Sequence, residues 1–475
     1  MFRGKNIFHI AILTYLIFNL YKLNFCSIIR QVKYQSKTDK SLDNKRPTWT
    51  SRYSFILAAI GSAVGLGNIW RFPYVMGQNG GAVFLLAYVL FIVTICFIPL
   101  MTEILVGKKT KKDCVGAFEL AKPELKYLGM LNPITAIIVP SFYFVIGGWI
   151  INYTYKSFIG FQNDNPIQYF SAFTQAPVIT VASTLLFLFI CIFFLARGVK
   201  KGIEFINNVM MPLLAIILVI LVIASINLPN AYLGLEYIFK PDFSKVSGHM
   251  LLSALGQAFF TLSVGMGSLL TYGSYIKSDK NIVKSAYTII FSSTTFSILA
   301  GMMIFPAVFS FGLEPDSGAG LVFVTLPKVF MQIPHGNIVA CAFFILLFCA
   351  AITSGISMLE VPCATLVDRL KISRLKAGVI LFCIIALITI PATLSFGLLK
   401  DFKLFDKTIF DLLDFTASNI LLPLNTLFVC LIGGWFLKIR GELIFKNKFL
   451  ISVFNIGLRY VVPIFLIGLF IIGLR

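Results

Sequence analysis

Charge is scarce in this chain, and what there is leans one way. Only 13% of the 475 residues are charged, with 40 Lys and Arg against 20 Asp and Glu, and histidine occurs three times. That scarcity excludes several classes. A metal centre needs clustered His, Cys or carboxylate ligands. None of the nine cysteines (positions 26, 96, 114, 191, 341, 349, 363, 383 and 430) forms a C-x-x-C pair, and most lie in or beside apolar runs. A membrane enzyme would need a nucleophile with a base, or a metal cluster, and the histidines lie away from the features below, so no catalytic residue is assigned. A formal charge of +20 would suggest nucleic acid in a water-soluble chain. No basic stripe with interleaved aromatics occurs here outside the apolar runs, so nucleic acid is not an expected partner.

What is plentiful is apolar side chain, 58% of the total. It recurs in runs of about 20 residues, the length that crosses a bilayer's hydrocarbon core as a helix. The expected fold class is an all-α membrane protein with eleven core spans. They run roughly 53–76, 82–106, 133–159, 177–196, 203–228, 250–276, 284–313, 334–367, 375–399, 408–437 and 449–473. Basic residues fall on alternate loops: Lys108 to Lys112, Arg197 to Lys201, Lys277 to Lys284, Arg369 to Lys376, and Lys438 to Lys448. The stretch from Ser157 to Val178 has neither Lys nor Arg. The positive-inside rule places the basic set, and the tail before Trp49, in the cytoplasm. A multi-pass protein of the plasma (inner) membrane is expected, with its last span ending outside. Ile7 to Tyr21 is apolar but short for a span. It reads as an interfacial helix, a twelfth span or a consequence of the assigned start, and Arg30 to Arg46 reads as a basic cytoplasmic linker.

Two nearly identical words interrupt the first and sixth spans, Ala63-Val64-Gly65-Leu66-Gly67 and Ser263-Val264-Gly265-Met266-Gly267. Paired glycines in mid-membrane invite the helix to unwind. Unwinding strands N–H and C=O groups, at several kcal/mol for each one left unsatisfied in lipid. Matched breaks in two halves of a membrane chain point to a transporter's central site. The competing reading is a pair of small-residue packing faces. Free N–H groups near Leu66 and Gly67 suit a carboxylate. Free carbonyls near Ala63, Val64, Phe260 and Thr261 suit an ammonium group or Na⁺, so a zwitterionic amino acid satisfies both ends.

Around the breaks the motifs become specific. Gly61-Ser62-Ala63-Val64-Gly65-Leu66-Gly67-Asn68-Ile69-Trp70-Arg71-Phe72-Pro73 resembles the first helix of the neurotransmitter:sodium symporter family. Gly256 to Gly265 resembles its sixth helix, and Ala350-Ala351-Ile352-Thr353-Ser354 its eighth. The likeness runs from about Trp49 to the last span, on the side of the family's prokaryotic amino acid transporters. It implies an inverted-repeat transporter fold of 5+5 helices with unwound first and sixth helices. The domains would be 1–48 (apolar segment and linker), 49–228 (first repeat), 250–437 (second repeat) and 449–475 (eleventh span).

The resemblance also implies two Na⁺ sites. The first would use Ala63, Asn68, Thr261 and the substrate carboxylate. The second would use the carbonyls of Gly61, Val64 and Ala350 with the hydroxyls of Thr353 and Ser354. Those two hydroxyls have a plainer alternative, bonding back to their own helix. In the seventh span Ser293 stands where relatives usually carry Asn or Asp, which puts first-site affinity in doubt. Ser297 is neutral where many chloride-independent relatives are acidic. With Tyr88 and Gln257, it leaves room for a chloride to supply the missing charge, unless both serines simply line a helix interface.

By the same likeness Tyr143 binds the substrate carboxylate and forms a lid with Phe260. Arg71 and Asp414 form an outer gate, and Arg46, Trp49, Tyr275 and Asp368 an inner one. Glu103 matches a family acid with a structural role. Ala63, Leu66, Gly67, Thr261 and Ser263 complete the expected substrate contacts. Amine-transporting relatives carry Asp where this chain has Gly65, so the substrate must bring its own carboxylate. Val139, Ile146, Phe260, Met266, Gly355 and Met358 would line an apolar pocket in which Gly355 makes room for a large aliphatic or aromatic side chain. The expected function is sodium-coupled import of such an amino acid by alternating access. The alternatives are a sodium-dependent amino-acid receptor, or a transporter of another small zwitterion or amine. A channel is disfavoured because the polar residues gather at the breaks instead of lining one helix.

Overall fold

The computed structural model describes residues 46–161, 165–277, 281–312, 321–333, 335–441 and 444–473. The apolar segment 7–21 and the linker up to residue 45 lie outside the described residues. Nine of the described helices are long and apolar enough to cross a membrane, and the bent pair Arg52–Ala63 and Gly67–Gln78 makes a tenth. The sixth expected span is two helices, Gly248–Thr261 and Ser268–Ser274, separated by six residues of irregular backbone. The chain is thus all-α, with the span order read from the sequence.

Helix starts are chemically marked. Ser51, Ser247, Ser373 and Thr408 each accept a backbone N–H from the first turn of the helix they precede, as N-cap side-chain oxygens do. Lys111 and Lys371, both left-handed, end the second and eighth spans on the basic side, where cations suit the negative helix terminus. Hydropathy misplaced some ends. The ninth span stops at Leu394, not near 399, because Ser395 to Lys400 turns out of the helix while staying apolar. Pro140, Pro212, Pro306, Pro362 and Pro391 sit in helix interiors. The hydroxyls of Ser310 and Ser395 donate to the carbonyls of Pro306 and Pro391, four residues back.

The third, fourth, eighth and ninth spans pack on one another as one layer, while the first packs on the fifth, seventh and eighth. Contacts repeat with an offset of five spans. The first span meets the seventh as the sixth meets the second. The third meets the fourth as the eighth meets the ninth, and the fifth meets the eighth as the tenth meets the third. That exchange pattern is the signature of an inverted repeat. Leu90, Phe189, Ile216, Ile220, Leu387 and Ile464 lie exposed on the outer faces, as lipid-facing positions should.

Candidate functional site

In the first span the helix ends as Val64 swings to φ −87°, ψ 94°, and the chain resumes in a π-helical turn over Gly67–Arg71. The two halves are bent by 46°. Carbonyls at a helix C-terminus have no partner within the helix, and here side chains from elsewhere meet them. Ser354 Oγ, on the eighth span, donates to Gly61 O at 3.0 Å and to Ser62 O at 3.4 Å. Ser263 Oγ, at the sixth-span break, donates to Ser62 O at 2.7 Å. Ser263 is thereby a tie between the breaks, with its hydroxyl committed away from any substrate.

The second break is built differently. Ser263, Gly265 and Gly267 have φ of 52°, 87° and 77°, the left-handed region that glycine enters freely. Gly265 N donates to Glu103 Oε1 at 2.7 Å, so the acid matched by resemblance braces the unwound backbone. A Cβ on Gly267 would stand 2.7 Å from Cys114 Sγ, so both conformation and space require glycine there.

The groups expected at the second sodium site come together in two pairs. Ser354 reaches Gly61, as above. Thr353 Oγ1 instead turns to its own helix, to Cys349 O at 3.0 Å and Ala350 O at 3.1 Å. The pairs adjoin, since a Cβ on Gly61 would lie 3.3 Å from Thr353 Cβ, and the Val64 carbonyl leaves the helix at the same break. At the expected first sodium site Asn68 is fully buried. Its Nδ2 donates to Ser293 O (3.1 Å), Ser293 Oγ (3.0 Å) and Ser297 Oγ (3.0 Å). Its Oδ1 accepts a long bond from Gly65 N at 3.4 Å.

Tyr88 and Ser297 hydroxyls lie 3.2 Å apart and hydrogen-bond to each other. Gln257 is occupied: its Nε2 donates to Gly67 O (2.9 Å) and Thr261 Oγ1 (3.1 Å), and its Oε1 accepts from Arg71 at 2.6 Å. Thr261 also borders Tyr88, so one chain of hydroxyls and amides joins the expected chloride and sodium positions.

Tyr143 stands over the first break. Its hydroxyl donates to Ala351 O at 3.4 Å, faces the Leu66 amide and Ser354, and would lie 3.4 Å from a Cβ on Gly65. With Leu66, Gly67, Ile146, Phe260, Arg71 and Asp414 it borders a cavity of about 40 Å³. Pockets that enclose drug-sized ligands run to roughly 300–1,000 Å³, so a substrate side chain requires these walls to part. Val139, Met266 and Met358 are buried but do not border the cavity. Gly355 does not make room: a Cβ there would meet Phe144 Cε1 at 3.0 Å and Cys191 Sγ at 3.2 Å. The space a glycine leaves is filled by neighbours that sequence position does not reveal.

The gates differ. At the expected inner gate Arg46 forms an ion pair with Asp368, donates to Ser274 Oγ at 2.9 Å, and lies 5.2 Å over the Tyr275 ring. Trp49 Nε1 donates to Tyr272 O at 2.9 Å. Beside this seal Asp113 is pushed above its usual range by burial, with Arg369 opposing the shift. On the outer side Arg71 and Asp414 share a cavity wall but form no ion pair. Arg71 bonds Gln257 and lies 4.6 Å over the Phe260 ring, and Asp414 accepts from Ser418 at 3.0 Å. Outside them opens a cavity of about 480 Å³, bordered by Tyr74, His249, Phe260 and Asn419. Sequence reasoning missed two participants: Asn207, buried against Gly61, and Glu360, which accepts from Tyr275 at 2.5 Å and pairs with Arg374. Each is a polar residue inside an apolar run, a signal that could have found it.

A model of the Sodium:neurotransmitter symporter family matches residues 46–166 and 168–474. A Bacillus subtilis (strain 168) protein, the uncharacterized sodium-dependent transporter YhdH, is 38% identical over 444 residues, covering 90% of this chain and 98% of its own. The sodium- and chloride-dependent GABA transporter 2 of Rattus norvegicus is 25% identical over 449 residues, covering 82% of this chain and 73% of its own. Among solved structures, that of MhsT in complex with L-phenylalanine matches with a TM-score of 0.83 at 41% identity, covering 90% of this chain and 99% of that one.

Proposed function

The chain belongs to the sodium:neurotransmitter symporter family and is a sodium-dependent membrane transporter; from that premise we propose that it imports a neutral amino acid with a large apolar or aromatic side chain. The observation that carries this reading is the meeting of the Tyr143 hydroxyl and the Leu66 amide over Gly65. Both groups can donate once the long Tyr143 bond to Ala351 O is released, and Asp414, the acid on the same cavity wall, is the expected gate partner of Arg71, so the complementary group would be a carboxylate that the substrate brings. L-phenylalanine bound to MhsT supports an amino acid with an apolar side chain. Two Na⁺ ions would enter with it, one beside Asn68 and Ser293, one between the first and eighth spans. Residues 49–228 and 250–437 would be the two repeats, and the plasma (inner) membrane the location.

The transport step uses the contrast between the gates. With Arg46 and Asp368 engaged and Arg71 and Asp414 apart, the site communicates with the outer cavity past Phe260. Carboxylate and Na⁺ binding would draw Tyr143, Phe260 and Arg71 inward, and release follows when the inner pair opens. Partly exposed ion pairs are worth only about 0–1 kcal/mol, so either gate can yield to bound ions. The test is competition in proteoliposomes loaded with labelled leucine or tryptophan. The amino acids compete and exchange, whereas isoamylamine and tryptamine do not. Equal competition by the decarboxylated amines would overturn the carboxylate reading, and binding without exchange would make the protein a receptor.

A further inference from the structure

Asn207 lies in the fifth span (Val199–Ile226), where its side chain is 1% exposed. Its Nδ2 donates to Ile203 O at 2.8 Å. That bond fixes the amide, because the flipped orientation would set oxygen against carbonyl oxygen. The Oδ1 atom that remains has no partner. It lies against Gly61, so closely that a Cβ there would overlap it, and Thr353 Cβ would stand 3.3 Å from that same Cβ position. An amide oxygen left unpaired at full burial is destabilising, because it has lost its water and gained no donor. The oxygen lies beside Gly61, a residue whose carbonyl accepts from Ser354.

We propose that Asn207 Oδ1 is a ligand of the sodium ion held between the first and eighth spans, which makes the fifth span a third wall of that site. The inference rests on the reading that this is a sodium site. Na⁺ is a hard cation that takes neutral oxygens, and side-chain amide carbonyls serve hard cations well. The geometry supplies what such an ion needs: an oxygen already desolvated, already oriented, and unclaimed by any donor. It also explains glycine at 61 from two directions, since any side chain there would displace both Asn207 and Thr353 from the ion.

The test measures sodium binding itself, on the purified full chain in detergent without substrate, by equilibrium binding of radioactive sodium. Asn207→Ala should weaken one component of the sodium isotherm about tenfold and leave the other in place. Asn207→Asp, which keeps the oxygen and adds charge, should bind at least as tightly as the wild type. Because Li⁺ is smaller and accepts fewer ligands, Asn207→Ala should also raise the ratio of Li⁺ to Na⁺ affinity. Thr353→Ala serves as the reference. If Thr353→Ala loses affinity about tenfold while Asn207→Ala stays within about twofold of wild type, the inference fails and the site stands. Weakening by Asn207→Asp to the level of Asn207→Ala would also overturn it, since packing would then be the role. Should Thr353→Ala bind sodium normally, the site itself is misassigned and the inference falls with it.

Discussion

The first span breaks without a left-handed residue: Val64 is extended, and the stranded carbonyls of Gly61 and Ser62 are met by hydroxyls from the sixth and eighth spans. The sixth span breaks through three left-handed residues, and a buried carboxylate, Glu103, holds Gly265 N. The difference separates two jobs. Hydroxyls and amides can rotate toward an ion and back, so the first break has exchangeable partners. Backbone held by φ and by a buried acid has one arrangement, so the second break is a fixed frame. Ser263, whose hydroxyl reaches Ser62, transmits the position of one to the other.

The sharpest test of the fixed frame is Gly265→Ala. A left-handed non-glycine residue costs about 1–2 kcal/mol, and here the Cβ would also run into the Leu422 carbonyl and the Thr426 hydroxyl. We expect Gly265→Ala to lower the melting temperature of purified protein sharply or to abolish folded yield. Gly256→Ala, earlier in the same span, is the control. Nothing lies within 4 Å of its Cβ position, and alanine gains roughly 1 kcal/mol over glycine inside a helix. Equal stability of the two variants would break the comparison.

Smaller effects are expected at the exchangeable break. Asn68→Ala and Thr353→Ala should each weaken sodium-dependent uptake at least about tenfold, or about 1.4 kcal/mol, with little change in melting temperature without sodium. Wild-type sodium titrations for both would remove the two-site assignment. If instead both variants fail to fold, the first break is a frame as well, and the contrast is lost.

The mildest effect belongs to the hydroxyl chain that links the two breaks through Thr261. The neutral donors Tyr88 and Ser297 would hold a desolvated anion that offsets bound cations in a low-dielectric site. Replacing chloride with gluconate should slow uptake several-fold, and Ser297→Glu should remove the requirement by building the charge in. Uptake indifferent to gluconate would return Ser293 and Ser297 to packing roles.

Much of this was legible from the chain alone, because the bilayer makes local rules strict. Span length, glycine breaks and basic loops each follow from backbone satisfaction in hydrocarbon, and hydropathy reads them without knowing a contact. The alternative uses of Thr353 and Ser354 were not separable that way. Adjacent on one helix, they point a hundred degrees apart about its axis, so one bonds back to Cys349 and the other crosses to Gly61. Gly355 misled for a related reason. A missing side chain shows where room could be, but Phe144 and Cys191 decided that there was none.

The sequence by itself determined the helical class, the span order and the two points where helices must stop, since each depends on residues close together in the chain. Tertiary structure decided which oxygens meet at those points. Ser354 and Gly61 are 293 positions apart, Arg46 and Asp368 are 322, and Asn68 and Ser293 are 225. Pairings at such separations carry no local periodicity. The packing of the spans sets them, and packing left Arg46 and Asp368 paired, Arg71 and Asp414 apart, and the Asn207 oxygen against Gly61.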